Sequence, residues 1–452
     1  MTSTSNPPAD GVLGLLDDLI GRARRAGADA ADAVLFDSAS LSLSQRLGQP
    51  ERLERSESGD LGLRVFVGRR QAIVSTSDRS PAMLAELVER AVSMARVVPE
   101  DPFCGIAEPE QIATSWQDMD CCDPAEPSSE EMIEQARSAE ETALSVAGVT
   151  NSEGADASWS RSTIAIAASN GFAGTYAVSR RSLSVSVLAG TGTGMERDYG
   201  FDSKVYAADL RSAEDIGREA GEKAVRRLNP RKVKSCRVPV VYDPRVSRGL
   251  LGHLTGAISG PAIARGTSFL KDKMGEVIFP ESVTIIDDPF VRRGLRSRPF
   301  DAEGLPVVRR NLIENGRLTT WLMDLRSSRQ LGLTPTGHAS RGTSGPPGPA
   351  PSNVTMAPGT RTPEDIIGEI EDGLYITELM GTAINGVTGD YSRGAGGFWI
   401  EKGRIAYPVS EITVAGNLKD MFLNLEPASD LELRYGMDAP TIRIDGMTIA
   451  GM

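Results

Sequence analysis

Histidine is nearly missing from this chain of 452 residues, which holds only His253 and His338, 85 residues apart. A helix-borne metal site that needs two histidines about a turn apart is therefore excluded. Cysteine is scarce too: Cys104, Cys121, Cys122 and Cys236 form no C-x-x-C pair. Adjacent Cys121 and Cys122 cannot bridge each other without strain, and the four read as reduced thiols of a cytoplasmic protein. Aromatic residues make up 5%, so a core must rest on Leu, Val, Ile and Ala. Basic residues number 49 against 61 acidic ones, for a net charge of −12. That balance gives no electrostatic footprint for direct binding to nucleic acid. No apolar run approaches the roughly 20 residues of a membrane-spanning helix. The opening segment, MTSTSNPPADGVLGLLDDLI, lacks a basic region and sets acidic residues inside its apolar run, so it does not read as a signal peptide. A cytoplasmic protein without a membrane partner is expected.

What is present is ordinary globular composition, 40% hydrophobic and 24% charged, in a chain long enough for two or three domains. After a leader that reads as disordered, Asp10 to Arg25 predicts an amphipathic helix with Val12, Leu15, Leu16, Leu19 and Ile20 on one face. Short alternating runs follow (AVLFDS, LSLSQRL, LGLRVFVG, QAIVSTS) and predict an antiparallel meander; a second helix spans Pro81 to Val97. Residues 1–100 thus read as an α+β domain and 101–127 as a Pro- and Asp-rich linker. In a middle α+β segment, 128–235, Ser128 and Glu131 suggest a capping box. Strands are expected at Val149–Ser158, Ser162–Ala168 and Gly174–Ala189, with an Asn170-Gly171 turn, and a helix from Ser212 to Leu228. GTGTGMERDYG lacks the Lys-Ser/Thr ending of a phosphate loop and does not clearly open a helix. Residues 236–452 read as a mostly antiparallel β-rich domain, giving an overall α+β fold. It opens with a short apolar strand, VPVVYDP, followed by a helix over Val246–Ile263 and a strand SVTIIDDP, contains a hairpin at Asn315-Gly316, and closes with strands DLELRYGM and TIRIDGMTI.

The richest stretch lies between Tyr375 and Leu425. Tyr375 to Met380 alternates as a strand; a loop with Gly381, Gly386, Gly389, Gly394, Gly396 and Gly397 is expected next, then a hairpin turning at Lys402-Gly403. The words TGDYSRGAGGFWIE and AGNLKDMF in this stretch strongly resemble the C-terminal signature of the TldD/PmbA family, specifically its PmbA (TldE) branch. The segment LLGHLTGAISGPAIARGTSFLKDKMGEVIF resembles the same branch, and the likeness extends over essentially the whole chain.

The catalytic member of that family carries H-E-x-x-x-H on a helix, with a distal cysteine as a further zinc ligand. Placed against that motif, Gly252, His253 and Ala257 stand where His, Glu and His are wanted, and no cysteine follows Cys236. A catalytic zinc needs about three fixed protein ligands, so this chain is expected to bind no metal and to have no catalytic residue of its own. His253, alone in an apolar helix, reads as structural, and Cys104 in its PFCGI context is a poor nucleophile to pair with it. The acidic pair Asp287-Asp288 brings no second catalytic group in sequence. The resemblance implies a subunit that pairs with a TldD-like zinc peptidase chain, the zinc lying in that partner, and that acts on unfolded or small peptides. It leaves a homodimer of the isolated chain open. Asp390, Tyr391, Ser392, Arg393, Asn417, Lys419 and Asp420 are then expected to face the partner or the peptide cavity. The alternatives are a stand-alone modulator of the gyrase-modulator type, or a hydrolase with an unrecognised site.

Overall fold

The computed structural model describes residues 9–451, so the expected leader before Asp10 lies outside the described residues. Helix α1 (Ala9–Arg25) is followed by strands β1 (Ala30–Arg46), β2 (Gln49–Val67) and β3 (Arg70–Thr76), then helix α2 (Pro81–Val97). The same helix–three strands–helix order repeats as α3 (Ser129–Ser145), β4 (Val149–Ala168), β5 (Ala173–Ala189), β6 (Glu196–Lys204) and α4 (Ala213–Arg226). All six strands form one antiparallel sheet in the order β3-β2-β1-β4-β5-β6, symmetric about the central β1–β4 pair. The expected short runs AVLFDS and LSLSQRL are therefore one strand, as are the two runs merged in β4. No Gly or Pro separates those runs, so nothing ends the ladder between them. Ser128 caps α3 by accepting the Glu131 N–H, but the Glu131 carboxylate turns to Arg181 at 2.9 Å instead of closing a capping box.

Side chains alternate across this sheet. Ala31, Ala33 and Leu35 of β1 pack under α1 and α2, and Leu41 and Leu43 under α3 and α4. Both helix pairs thus cover one face. The other face sets Val34, Ile164 and Ile166 against Ala113, Phe172 and Phe300, the last contributed by the C-terminal half. Phe300 meets Phe172 edge-on at 5.0 Å and Tyr176 at 5.4 Å. The segment 101–127 is irregular apart from a short 3-10 helix at Pro109–Gln111, but it is tied down. The Arg329 guanidinium donates to the carbonyls of Phe103 and Ile106, and Ala113 N–H donates to Gly304.

The C-terminal half begins with β7 (Cys236–Tyr242), α5 (Pro244–Ala257) and α6 (Gly260–Ala264). The single helix expected over Val246–Ile263 is thus broken, because Pro261 sits in the first turn of α6 and cannot donate back to a continuing helix. Next come β8 (Ile285–Asp288), β9 (Arg310–Glu314), β10 (Arg317–Leu318), α7 (Leu325–Leu331), β11 (Ala339–Ser340), β12 (Gly348–Pro349), β13 (Asn353–Met356) and α8 (Pro363–Gly368). The chain ends with β14 (Asp372–Ile384), β15 (Asp390–Glu401), β16 (Arg404–Asn417), α9 (Leu418–Leu423), β17 (Leu425–Pro427), β18 (Met437–Asp438) and β19 (Ile442–Ala450). The strand expected over DLELRYGM reduces to β18; Asp430 instead accepts the Thr441 N–H and hydroxyl at 2.9 and 2.7 Å.

Two large sheets carry this half, beside the small β11-β12 pair. One is β10-β9-β8-β13-β18; the other is β16-β15-β14-β7-β19-β17, in which β16 also pairs with β19 and closes five strands into a barrel. All its pairings are antiparallel except β14 with β7. The barrel shares the largest hydrophobic core with α5, through residues such as Val240, Ile376, Ile412, Leu250 and Leu254. No described helix is long and apolar enough to cross a membrane.

Candidate functional site

The stretch expected as one long glycine loop is mostly strand. Gly394, Gly396 and Gly397 lie inside β15, and only Asn385–Gly389 connects it to β14. Of the six glycines, Gly381 and Gly389 alone have positive φ, +71° and +87°. Gly397 serves a different need: a Cβ there would stand 2.0 Å from the Tyr375 carbonyl oxygen across the β14–β15 ladder.

Where β14 and β15 meet the six-stranded sheet, a cavity of about 590 Å³ opens. Its walls come from β4 to β6, from the face of α5 bearing Arg245, Arg248 and His253, and from Thr377, Glu378, Tyr391 and Arg393. Arg245 and Arg248 share a helix face by their three-residue spacing. Thr377 is the extra residue of a β-bulge: Ile376 pairs with Gly397 and Glu378 with Gly396, leaving Thr377 without a partner. Such bulges re-aim side chains.

The lining holds five arginines (Arg197, Arg227, Arg245, Arg248, Arg393) and three carboxylates (Asp156, Asp198, Glu378). In a chain of net charge −12 this local excess of positive charge runs against the overall balance. Asp198 is buried and accepts from both terminal nitrogens of Arg245, at 2.7 and 3.1 Å. Burial pushes its carboxyl up, but Arg245 and Arg227 outweigh that and hold it below the ordinary aspartate range. Glu378 pairs with Arg227. Asp156 accepts from the Ser44 hydroxyl.

Arg248 and Arg393 have no carboxylate partner among the described residues. Arg248 stacks 4.7 Å over the Tyr435 ring, and Arg393 Nε donates to the Met380 carbonyl at 3.3 Å. His253 packs edge-on to Tyr391 at 5.9 Å, and its imidazole pKa is lowered by burial and by Arg393, which favours the neutral ring. Tyr242 is wholly buried beneath, its phenol pKa raised well above the ordinary value by burial and by Tyr391.

The seven residues expected at the partner or cavity divide by strand periodicity. Tyr391 and Arg393 share one face of β15 and line the cavity; Asp390 and Ser392 occupy the opposite face. Asp390 is exposed, joined to Thr388 at 2.6 Å and to Asn417 at 3.0 Å. Asn417 also caps α9, whose first turn carries exposed Lys419 and Asp420. Neither Cys104 nor His338 lines the cavity. Burial raises the Cys104 thiol pKa.

Asp287 does gain a second group that the sequence order concealed. His338 Nε2 lies 2.7 Å from it and the Ser352 hydroxyl 2.6 Å, while Thr336 meets His338 Nδ1 at 2.7 Å. All four side chains are buried away from the cavity, so they brace β8. Among the described residues no group of three or more His, Cys, Asp or Glu is placed to hold a metal. Sequence reasoning missed Arg245, Arg248 and Thr377. The arginines were legible as an Arg-x-x-Arg pair leading into the helix; the bulge left no signal.

The chain matches the PmbA/TldA metallopeptidase family along its length: domain 1 over residues 31–95, the central domain over 122–228 and the C-terminal domain over 235–451. It is 38% identical to the metalloprotease PmbA of Escherichia coli O157:H7 over 425 residues, 94% of this chain and 92% of the other. Among solved structures it resembles a Bacteroides thetaiotaomicron protein named for modulation of DNA gyrase, with a TM-score of 0.90 and 28% identity over 98% of this chain and 99% of that one. TldE from Thermococcus kodakarensis shares the fold, with a TM-score of 0.86 and 23% identity over 97% and 100% of the two chains.

Proposed function

The chain belongs to the PmbA/TldD metallopeptidase family, in its PmbA branch, and on that premise we propose that it is the peptide-holding, non-catalytic subunit of a zinc-dependent peptidase completed by a TldD-like chain. The observation that carries this reading is the lining of the cavity. It offers cationic and aromatic groups that bind and orient a peptide, with no nucleophile–base pair and no ligand set for zinc. His253 is its only histidine, and five arginines disfavour a divalent cation. Asp198 and Glu378 are occupied by arginines and Asp156 by a hydroxyl. The residues present do not fit a zinc ion.

Docking of the partner is assigned to the outer end of the β14–β15 hairpin and α9. That end exposes Met380, Val387 and Leu423 beside Asp390, Lys419 and Asp420. A cytoplasmic setting accords with four free cysteines.

The test is peptidase activity with metal analysis, on this chain alone and mixed with the TldD-like chain. No cleavage and no zinc alone, with cleavage of an unstructured peptide on mixing, is the expected result. Stoichiometric zinc and cleavage by the lone chain would refute it. The gyrase-modulator name of the Bacteroides relative favours a second reading, a stand-alone interaction protein, which predicts that mixing creates no peptidase.

A further inference from the structure

We propose that the cavity contains a carboxylate-recognition subsite, in which Arg248 and Arg393 clasp a peptide carboxylate beside His253. The inference rests on the peptide-holding role proposed above and adds what part of the peptide is read. Three observations support it. First, these two arginines face the cavity without a carboxylate partner, whereas Arg227 and Arg245 in the same wall are paired with Glu378 and Asp198. Half-buried guanidinium groups favour an anionic partner, and the planar fork suits a carboxylate.

Second, the cavity wall holds polar atoms that the protein itself leaves unsatisfied. Thr377 is 93% buried, and its Oγ1 has no hydrogen-bond partner; Arg245 Nε has none either. Buried polar groups are nearly always paired; both atoms are closed to solvent, so they are unmet hydrogen-bonding capacity just behind the wall, which a ligand or its bound water reaches only if the wall opens slightly. Third, the positive excess sits in a chain of net charge −12, and a concave wall focuses its field on an incoming anion. Aromatic Tyr199 and Phe201 line the same space and give the adjoining peptide side chains apolar surface.

The carboxylate can come from the peptide C-terminus or from an acidic side chain. Short fluorescent peptides separate the two: one with a free C-terminus, one amidated, and one amidated but carrying glutamate. Their binding to this full-length chain is measured by anisotropy, for wild type and for Arg248→Gln, Arg393→Gln and Arg393→Lys, each confirmed folded by its circular dichroism spectrum. Wild type is expected to bind at least one carboxylate-bearing peptide tenfold or more tightly than the plain amide. Each Gln variant is expected to lose most of that preference, and the Lys variant to recover part of it. The free-acid arm winning assigns the C-terminus; the glutamate arm winning assigns a side chain. Equal binding of all three peptides, no binding of any, or an unchanged preference in both Gln variants would overturn the subsite. The assay needs no partner, so it fails or succeeds separately from the peptidase reading. Cleavage on mixing with no carboxylate preference removes only the subsite; carboxylate-dependent binding without cleavage removes only the subunit role.

Discussion

At the scale of single residues, Asp198 holds the cavity wall together. Its side chain is 2% exposed, bonded twice to Arg245 and 3.5 Å from Arg227. Replacing it with asparagine leaves a largely buried guanidinium without its counter-charge. Asp198→Asn is expected to cost about 3–5 kcal/mol, the usual penalty for breaking a buried ion pair from one side. Urea denaturation measures this, and a loss under about 1 kcal/mol would show that water already reaches the pair. Asp198 was not legible as a site residue, because it follows a glycine run without the ending of a phosphate loop and its arginine partner lies 47 residues on. Tyr391 and Arg393, by contrast, were legible from their place in the glycine-rich stretch.

At the scale of elements, the β14–β15 ladder depends on Gly397. Alanine there would drive its Cβ toward the Tyr375 carbonyl, and Gly397→Ala is expected to cost about 1–3 kcal/mol as an overpacking change. It should also weaken peptide binding, since Gly397 pairs with Ile376 next to the Thr377 bulge. Gly14 is the contrasting case, exposed on α1 with open space around it. Gly14→Ala should raise stability by about 0.5–1 kcal/mol through helix propensity alone. Thermal melts of the two variants should therefore move in opposite directions; a shared sign would contradict the packing argument. Hairpin turns at Asn170-Gly171, Asn315-Gly316 and Lys402-Gly403 were readable from local chemistry. The bulge and the long continuous strands were not, because neighbouring strands decide where a ladder stops.

At the scale of the whole molecule, the two halves are joined by a buried charged cluster. Asp32 of β1 accepts from Arg64 of β2 and from Arg341 of the C-terminal half, and Glu303 lies 3.8 Å from Arg64. Burial, with Asp301 nearby, raises the Glu303 carboxyl above its ordinary pKa of 4.5. The folded state therefore holds a proton that the unfolded chain has released, so this contribution is full below that pH and lost as pH rises through the folded value. Glu303→Gln cannot ionise. Its stability should fall less steeply than wild type from about pH 5 upward, as read by urea midpoints across a pH series. Parallel pH profiles would refute the assignment.

The sequence by itself determined the α+β class, the family, most helix starts and the shortage of metal ligands. These follow from local periodicity, capping residues, unusual words and composition, which do not depend on distant contacts. Only the tertiary structure decided that the two helix–strand repeats build one six-stranded sheet, that the C-terminal half closes a barrel beside it, and that their meeting leaves a cationic cavity. Asp198, Arg248, Thr377 and Arg393 come from four separate elements, and which charges find partners there is settled by packing in three dimensions. Their order along the chain carries no record of it.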